Sequence, residues 1–280
     1  MKKFDTLLAS ILRGEPIVMG ILNVTPDSFS DGGRFFDAAQ AIEHAYTMAR
    51  EGAAIIDIGA ESTRPRSSRV EPQEQIRRLS GVLPALVDID AVVSIDTTSA
   101  DVAEFAISHG ASIINDVSAG REDPRMLTLA ATTGSAIALM HMLGDPATMQ
   151  QSPVYDDVVE EVGEFLRERV REAQDSGIEP EKCIVDPGIG FGKTIEHNLT
   201  LLANMDRFRN IGVAVMVGVS RKRFIGTLTG KSEPEQRLCG TVAACIDSWN
   251  RGANIFRVHD VDEVAGAFAV CEAIAQKRIR

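Results

Sequence analysis

The stretch IVMGILNVTPDSFSDGG occupies residues 17–33. An apolar, β-branched run stops at Asn23, and a loop rich in Pro, Gly, hydroxyl and carboxylate residues comes next. The run is hydrophobic without a break, the pattern of a strand buried on both faces. The turn after this run separates two architectures. An open doubly wound sheet that binds a dinucleotide would place a GxGxxG turn after its first strand. No such turn succeeds residues 17–22. A polar loop of this length is costly to hold in one shape, which marks it as functional.

Seven further runs continue the pattern: AIIDIG (54–59), VVSID (92–96), SIIND (112–116), AIALMH (136–141), CIVD (183–186), VAVMVG (213–218) and NIFRVH (254–259). Segments such as AAQAIEHAYTMAREGA and VVEEVGEFLRERVREAQDSGI lie between them, with apolar residues at i, i+3, i+4 and i+7. Gly52, Gly110, Gly134, Gly177, Gly212 and Gly252 stand before the next run, where a helix takes its left-handed stop. Eight β-α alternations without a linker or low-complexity stretch predict one α/β domain over residues 1–280. Its expected form is a (β/α)8 TIM barrel with a short N-terminal extension and long loops at the C-terminal face.

The chain has 280 residues and a formal net charge of −11. That balance argues against nucleic acid or an anionic membrane as partner, since both need a cationic face. Cys183, Cys239, Cys245 and Cys271 show no ligand-like spacing and have apolar neighbours. They are expected to be buried free thiols in a cytoplasmic protein. The start, MKKFDTLLASILRGEP, is too short and too charged to span a membrane and is expected to form an amphipathic helix.

A barrel builds its site at the carboxyl ends of its strands. Those ends read Asn23, Glu61-Ser62-Thr63-Arg64, Asp96, Asn115-Asp116, His141, Asp186, Ser220-Arg221-Lys222, and Arg257 with His259. All eight are polar. Asp96, Asn115, Asp186 and Lys222 combine acceptors, an amide and a cation, a set suited to a flat heterocycle with lactam and amidine edges. Asn23, Arg257 and His259, joined by Thr63 and Arg64, form a cationic, hydrogen-bonding set suited to phosphate oxygens. The bland alternatives are helix capping for Asp96 or Asp116 and a satisfied core or rim position for His141.

In this order and spacing, GILNVTPDSFSDGG (20–33), DIGAESTRP (57–65), SIDT (94–97), IIND (113–116), LMHM (139–142), DPGIGFGK (186–193), VGVSRKRFIG (217–226) and RVHDV (257–261) closely resemble the signatures of bacterial dihydropteroate synthases. Two positions depart from the commonest form: Ala60 stands where a second Gly is usual, and Arg66 where Gly usually comes after Thr-Arg-Pro. The resemblance implies condensation of (7,8-dihydropterin-6-yl)methyl diphosphate with 4-aminobenzoate, releasing diphosphate, as a step in folate synthesis. It implies that the pterin sits on Asp96, Asn115, Asp186 and Lys222. Asn23, Thr63 and Arg64 with Arg257 and His259 would hold the diphosphate, with Mg2+ at Asn23. Phe29, Thr63, Pro65, Phe191, Ser220 and Lys222 would hold 4-aminobenzoate, where sulfonamides mimic it. Asp96, Asp186, Lys222 and Arg257 would carry the catalysis. The resemblance also implies a homodimer.

Two other readings remain at this level: a pterin-binding methyltransferase module, and a non-catalytic pterin-binding protein. The first would need neither the SRK and RVHD segments nor the NVTPDSF loop. Trp249, in a helical pattern with Cys245, is expected to pack, and VVEEVGEFLRERVREAQ to present a charged, solvated face.

Overall fold

The structure is a computed structural model, and it describes residues 3–25, 34–61, 69–144 and 153–277. Eight parallel strands close into a barrel in chain order: β1 (Ile17–Asn23), β2 (Ile55–Gly59), β3 (Val92–Asp96), β4 (Ile113–Asp116), β5 (Ala136–Met140), β6 (Cys183–Asp186), β7 (Ala214–Val217) and β8 (Ile255–Val258). Helix α1 (Lys3–Arg13) precedes the barrel. Among the described residues, α2 (Arg34–Arg50), α3 (Pro72–Leu79), α4 (Ala100–Ser108), α5 (Met126–Thr133), α6 (Val158–Asp175) and α7 (Ile195–Ala203) come after the first six strands in turn. Helices α8 (Arg223–Thr229) and α9 (Leu238–Asn250) both lie between β7 and β8, and α10 (Val261–Ala275) comes after β8.

Alternation along each strand puts an apolar floor beneath a polar mouth. Successive side chains point to opposite faces. Ile55, Val92, Ile113, Ile184 and Ile255 face inward and pack together as the barrel's inner core. Two residues further along these strands stand Asp57, Ser94, Asn115, Asp186 and Arg257. The residues between them, such as Ile56, Val93 and Ile114, belong to the larger core shared with the surrounding helices. The runs therefore read as unbroken hydrophobicity because one set of apolar residues serves the helices and the other the floor.

Helix α1 closes the bottom of the barrel. Phe4 and Ile11 join the inner core and are almost fully buried, each worth about 1.5–3 kcal/mol of apolar burial. Trp249 packs edge-on against Phe268 and donates Nε1–H to Gly14 O at 3.0 Å. Helix α6 has the expected charged outer face. Asp157 caps it by accepting from Val159 N and Glu160 N, and Val162, Leu166, Val170 and Ala173 fill the inner face.

Two expectations are corrected. Gly52, Gly110, Gly134, Gly177 and Gly252 take positive φ as expected, but Gly212 does not. There a Cβ would lie 2.5 Å from Cys183 O, so the residue is small to let two backbones meet. Cys183 and Cys245 are buried free thiols, but Cys239 is exposed and Cys271 half-buried. A helix puts flanking residues on other faces, so apolar neighbours in sequence do not bury a thiol. Among the described residues, no helix is long and apolar enough to cross a membrane.

Candidate active site

The mouth of the barrel holds a cavity of about 690 Å³. Asn23, Asp96, Asn115, Asp186, Phe191, Ser220, Lys222, Arg257 and His259 all line it. Ile21, Val117 and Met140 add apolar wall. A mostly apolar cleft with a few convergent polar groups is the ordinary form of a small-molecule site. Phe29, Thr63, Arg64, Pro65 and Arg66 lie outside the described residues.

Local chemistry sets each group. Asp186 ends β6, and its Oδ1 accepts from Gly188 N at 2.7 Å. Gly188 takes φ +69°, and a Cβ there would fall 1.9 Å from His141 O. Only glycine permits this turn. Gly190 N then donates to Asn198 Oδ1 at 2.6 Å. The turn places Phe191 beneath Lys222, whose Nζ lies 4.2 Å from the ring centroid and donates to Ile189 O at 2.6 Å. Ser220 Oγ lies 3.0 Å from His259 Nδ1. Arg221, at φ +58°, turns to an ion pair with Asp260 and ties the loop after β7 to the end of β8.

Arg257 joins the two polar sets. Its Nε lies 2.6 Å from Asp57 Oδ2 and its Nη2 2.7 Å from Asp96 Oδ2. Burial disfavours the cation, but the two carboxylates outweigh that and raise its pKa. Burial pushes Asp96 up to about 7; Arg257 opposes the rise, and Asp57, Asp116 and Glu61 add to it. Asp186 is likewise raised by burial, against Gly188 N and Lys222. Burial lowers Lys222 to about 8, which Asp186 opposes.

Three strand-end groups stand outside this arrangement. Asp116 is fully buried and accepts from Ser118 N, Ser118 Oγ and Gly120 N, so it holds the turn after β4. His141 is buried against Phe165, with Nδ1 3.0 Å from Lys193 Nζ. It occupies the satisfied core position. Glu61 accepts from Val70 N and Gln75 Nε2.

Sequence reasoning missed Asp57 and Lys193. Asp57 is completely buried, and Lys193 lines the cavity while bonded to His141. The signal for Asp57 was present: a carboxylate inside IIDIG, a run that otherwise reads as buried on both faces. Ala60 needs no glycine. It is buried, Arg78 Nη1 donates to its carbonyl at 2.9 Å, and its φ is not positive.

Fold and site together define a pterin-binding barrel enzyme: the profile of the family described as "Pterin binding enzyme" matches residues 19–259. The dihydropteroate synthase of Escherichia coli is 44% identical over 265 residues, covering 94% of this chain and 93% of that protein. A mitochondrial folate synthesis bifunctional protein of Arabidopsis thaliana is 45% identical, and this chain spans 50% of its length. The structure of Xanthomonas albilineans dihydropteroate synthase with 4-aminobenzoic acid superposes with a TM-score of 0.88 at 44% identity, covering 95% of this chain and 94% of that one. The chain belongs to the dihydropteroate synthases.

Proposed function

We propose that this barrel mouth condenses (7,8-dihydropterin-6-yl)methyl diphosphate with 4-aminobenzoate to give 7,8-dihydropteroate and diphosphate, and that its residues divide the labour among three subsites. Asp96, Asn115, Asp186 and Lys222 hold the pterin. The carboxylates and the amide oxygen accept from its N–H edges, and Lys222 donates to its lactam. Asn23, Arg257 and His259 face the diphosphate, with Thr63 and Arg64 assigned there from sequence. Phe191, Ser220 and Lys222 form the described part of the 4-aminobenzoate site, completed by Phe29, Thr63 and Pro65.

The observation that carries this reading is the salt bridge from Arg257 to Asp96. It sets the cation for the leaving group beside a carboxylate of the ring site, and the reaction needs both. Breaking the CH2–O bond leaves positive charge on a carbon conjugated to the pterin and negative charge on diphosphate. Asp96 and Asp186 stabilise the first and Arg257 the second. The attacking aromatic amine is neutral at pH 7, so its lone pair forms the new C–N bond without prior deprotonation. The proton it carries is lost afterwards to solvent or diphosphate.

Mg2+ belongs to the same reading. Among the described residues, no cluster of three His, Cys, Asp or Glu side chains could hold a metal. The one amide oxygen of Asn23 in the cavity fits an ion held mainly by substrate phosphates and water, the usual habit of Mg2+. When bound, the ion supplies charge neutralisation on the leaving diphosphate. We further take residues 1–280 as one domain and the protein as a cytoplasmic homodimer. Its free thiols suit a reducing compartment, and Val270 and Ile274 on α10 remain exposed as apolar surface for a second copy.

Diphosphate release measured with and without 4-aminobenzoate tests the function. Release that depends on 4-aminobenzoate supports the synthase. No release under either condition favours a binding protein or a methyltransferase module, and release that does not depend on 4-aminobenzoate contradicts the synthase.

A further inference from the structure

We infer that Asp57 is a positioning residue that fixes the amide orientation of Asn115 and so sets which atom Asn115 offers to the pterin; this rests on the assignment of Asn115 to the pterin site. Asp57 lies in the middle of β2, paired in register with Ile21 on β1 and Ser94 on β3. It has no exposed surface and does not line the cavity. Its Oδ2 accepts from Asn115 Nδ2 at 3.0 Å and from Arg257 Nε at 2.6 Å.

The two ends of an amide side chain have nearly the same shape, so its hydrogen bonds decide which way it points. A carboxylate only accepts. With Asp57 in place, Asn115 must turn its NH2 toward β2, and Oδ1 becomes its acceptor for the ligand. An acceptor is what an N–H edge requires. Arg257 Nε donates to the same Asp57 oxygen as Asn115, so an amide at position 57 would keep its oxygen there. An apolar side chain would instead leave Asn115 free to turn, and one of its two orientations sets a donor against the ligand's own donors.

A purely structural layer at this depth is normally built from Val, Ile and Leu. Burying a carboxylate there is costly unless its bonds are made. Among the described residues, neither Asp57 Oδ1 nor Ser94 Oγ on the strand beside it has a hydrogen-bond partner. The position therefore gives up apolar packing to keep the contacts to Asn115 and Arg257.

The experiment is a double-mutant cycle on the whole protein, using Asp57→Leu, Asn115→Ala and the two combined. The readout is the dissociation constant of 6-hydroxymethylpterin. At metal centres, removing a group that orients a binding side chain costs about 10- to 100-fold in affinity. For Asp57→Leu we expect the lower end, about ten-fold. The loss should shrink in the Asn115→Ala background, where only the contact of Asp57 to Arg257 remains. The KM for 4-aminobenzoate should not change. Wild-type affinity in Asp57→Leu, or losses that simply add, would overturn the proposal. If Asp57→Leu does not fold, neutron diffraction on the deuterium-exchanged wild-type protein decides it. Deuterons on the Asn115 atom nearest Asp57 support the proposal, and a bare oxygen there overturns it. Wild-type protein that binds no 6-hydroxymethylpterin would instead remove the pterin assignment on which the proposal stands, a failure visible before any variant is made.

Discussion

Arg257 on β8 sets its Nη2 2.7 Å from Asp96 Oδ2 on β3, across the barrel mouth. The sequence sorts these residues into different sets, one for an anion and one for a ring. In the fold they touch. A carboxylate and a guanidinium in contact divide the charge that bond cleavage separates; Arg257 opposes the rise that burial gives the Asp96 pKa, and Asp96 helps hold Arg257 as a cation.

That contact has a consequence for stability. Arg257 balances two buried carboxylates, Asp57 and Asp96. Arg257→Met would leave both without a counter-ion, and removing one partner of a buried pair typically costs about 3–5 kcal/mol. Urea unfolding near neutral pH should show a loss of this order. Unchanged stability would mean that these ion pairs do not hold the fold.

Asp186→Asn should weaken pterin binding by about 2–4 kcal/mol while the barrel stays folded. The structure fixes the sign. Oδ1 of Asp186 is held by Gly188 N, so the substituted amide keeps its oxygen there and turns NH2 toward the ligand's own donors. Calorimetric titration with a pterin analogue measures the difference, and equal affinities would take Asp186 out of the pocket.

Lys222 should set the alkaline limb of the pH profile. Burial lowers its pKa to about 8, so it donates as a cation below that pH and loses its charge above it. We expect kcat/KM for the pterin diphosphate to fall as pH rises past about 8. In Lys222→Arg, whatever its absolute rate, this limb should vanish, because the guanidinium stays protonated. A limb unmoved by that substitution would assign it to another group, with Lys193 the nearest candidate, lowered by burial to about 7.

His141 should make the protein sensitive to acid. Burial, with Lys193 and Arg121 adding to it, lowers its pKa from 6.5 to about 3. Between those values the unfolded chain binds the proton and the folded one does not, so stability falls as pH drops through the window. At about 1.4 kcal/mol per unit, the full window is worth up to about 5 kcal/mol. His141→Gln should lose less stability than wild type between pH 7 and pH 4 in denaturant melts. Asp96, raised in the fold, works in the opposite direction over the same range in both proteins, so the difference isolates His141. Parallel losses would show that the ring is protonated when folded.

The architecture is legible in the sequence because it rests on local periodicity. All eight runs became strands, and every strand-end residue assigned to the site that falls among the described residues lines the cavity. What stayed hidden depends on partners distant in the chain. Asp57 gains its meaning from Arg257, 200 residues away, and Lys193 from His141, 52 residues away. Gly212 shows the same limit in the backbone: its identity announces a constraint without saying whether φ or a close approach imposes it. The segments around Phe29 and Thr63–Arg66, where the sequence is rich in Gly, Ser, Pro and charge, lie outside the described residues.

The measurement that bears most directly on the central claim is a crystal structure of the protein with 6-hydroxymethylpterin, diphosphate and Mg2+. We expect the ring edge against Asp96, Asn115 and Asp186, its lactam on Lys222, and the diphosphate on Asn23, Arg257 and His259. A ring bound elsewhere, or a diphosphate seated away from Arg257, would contradict the assignment.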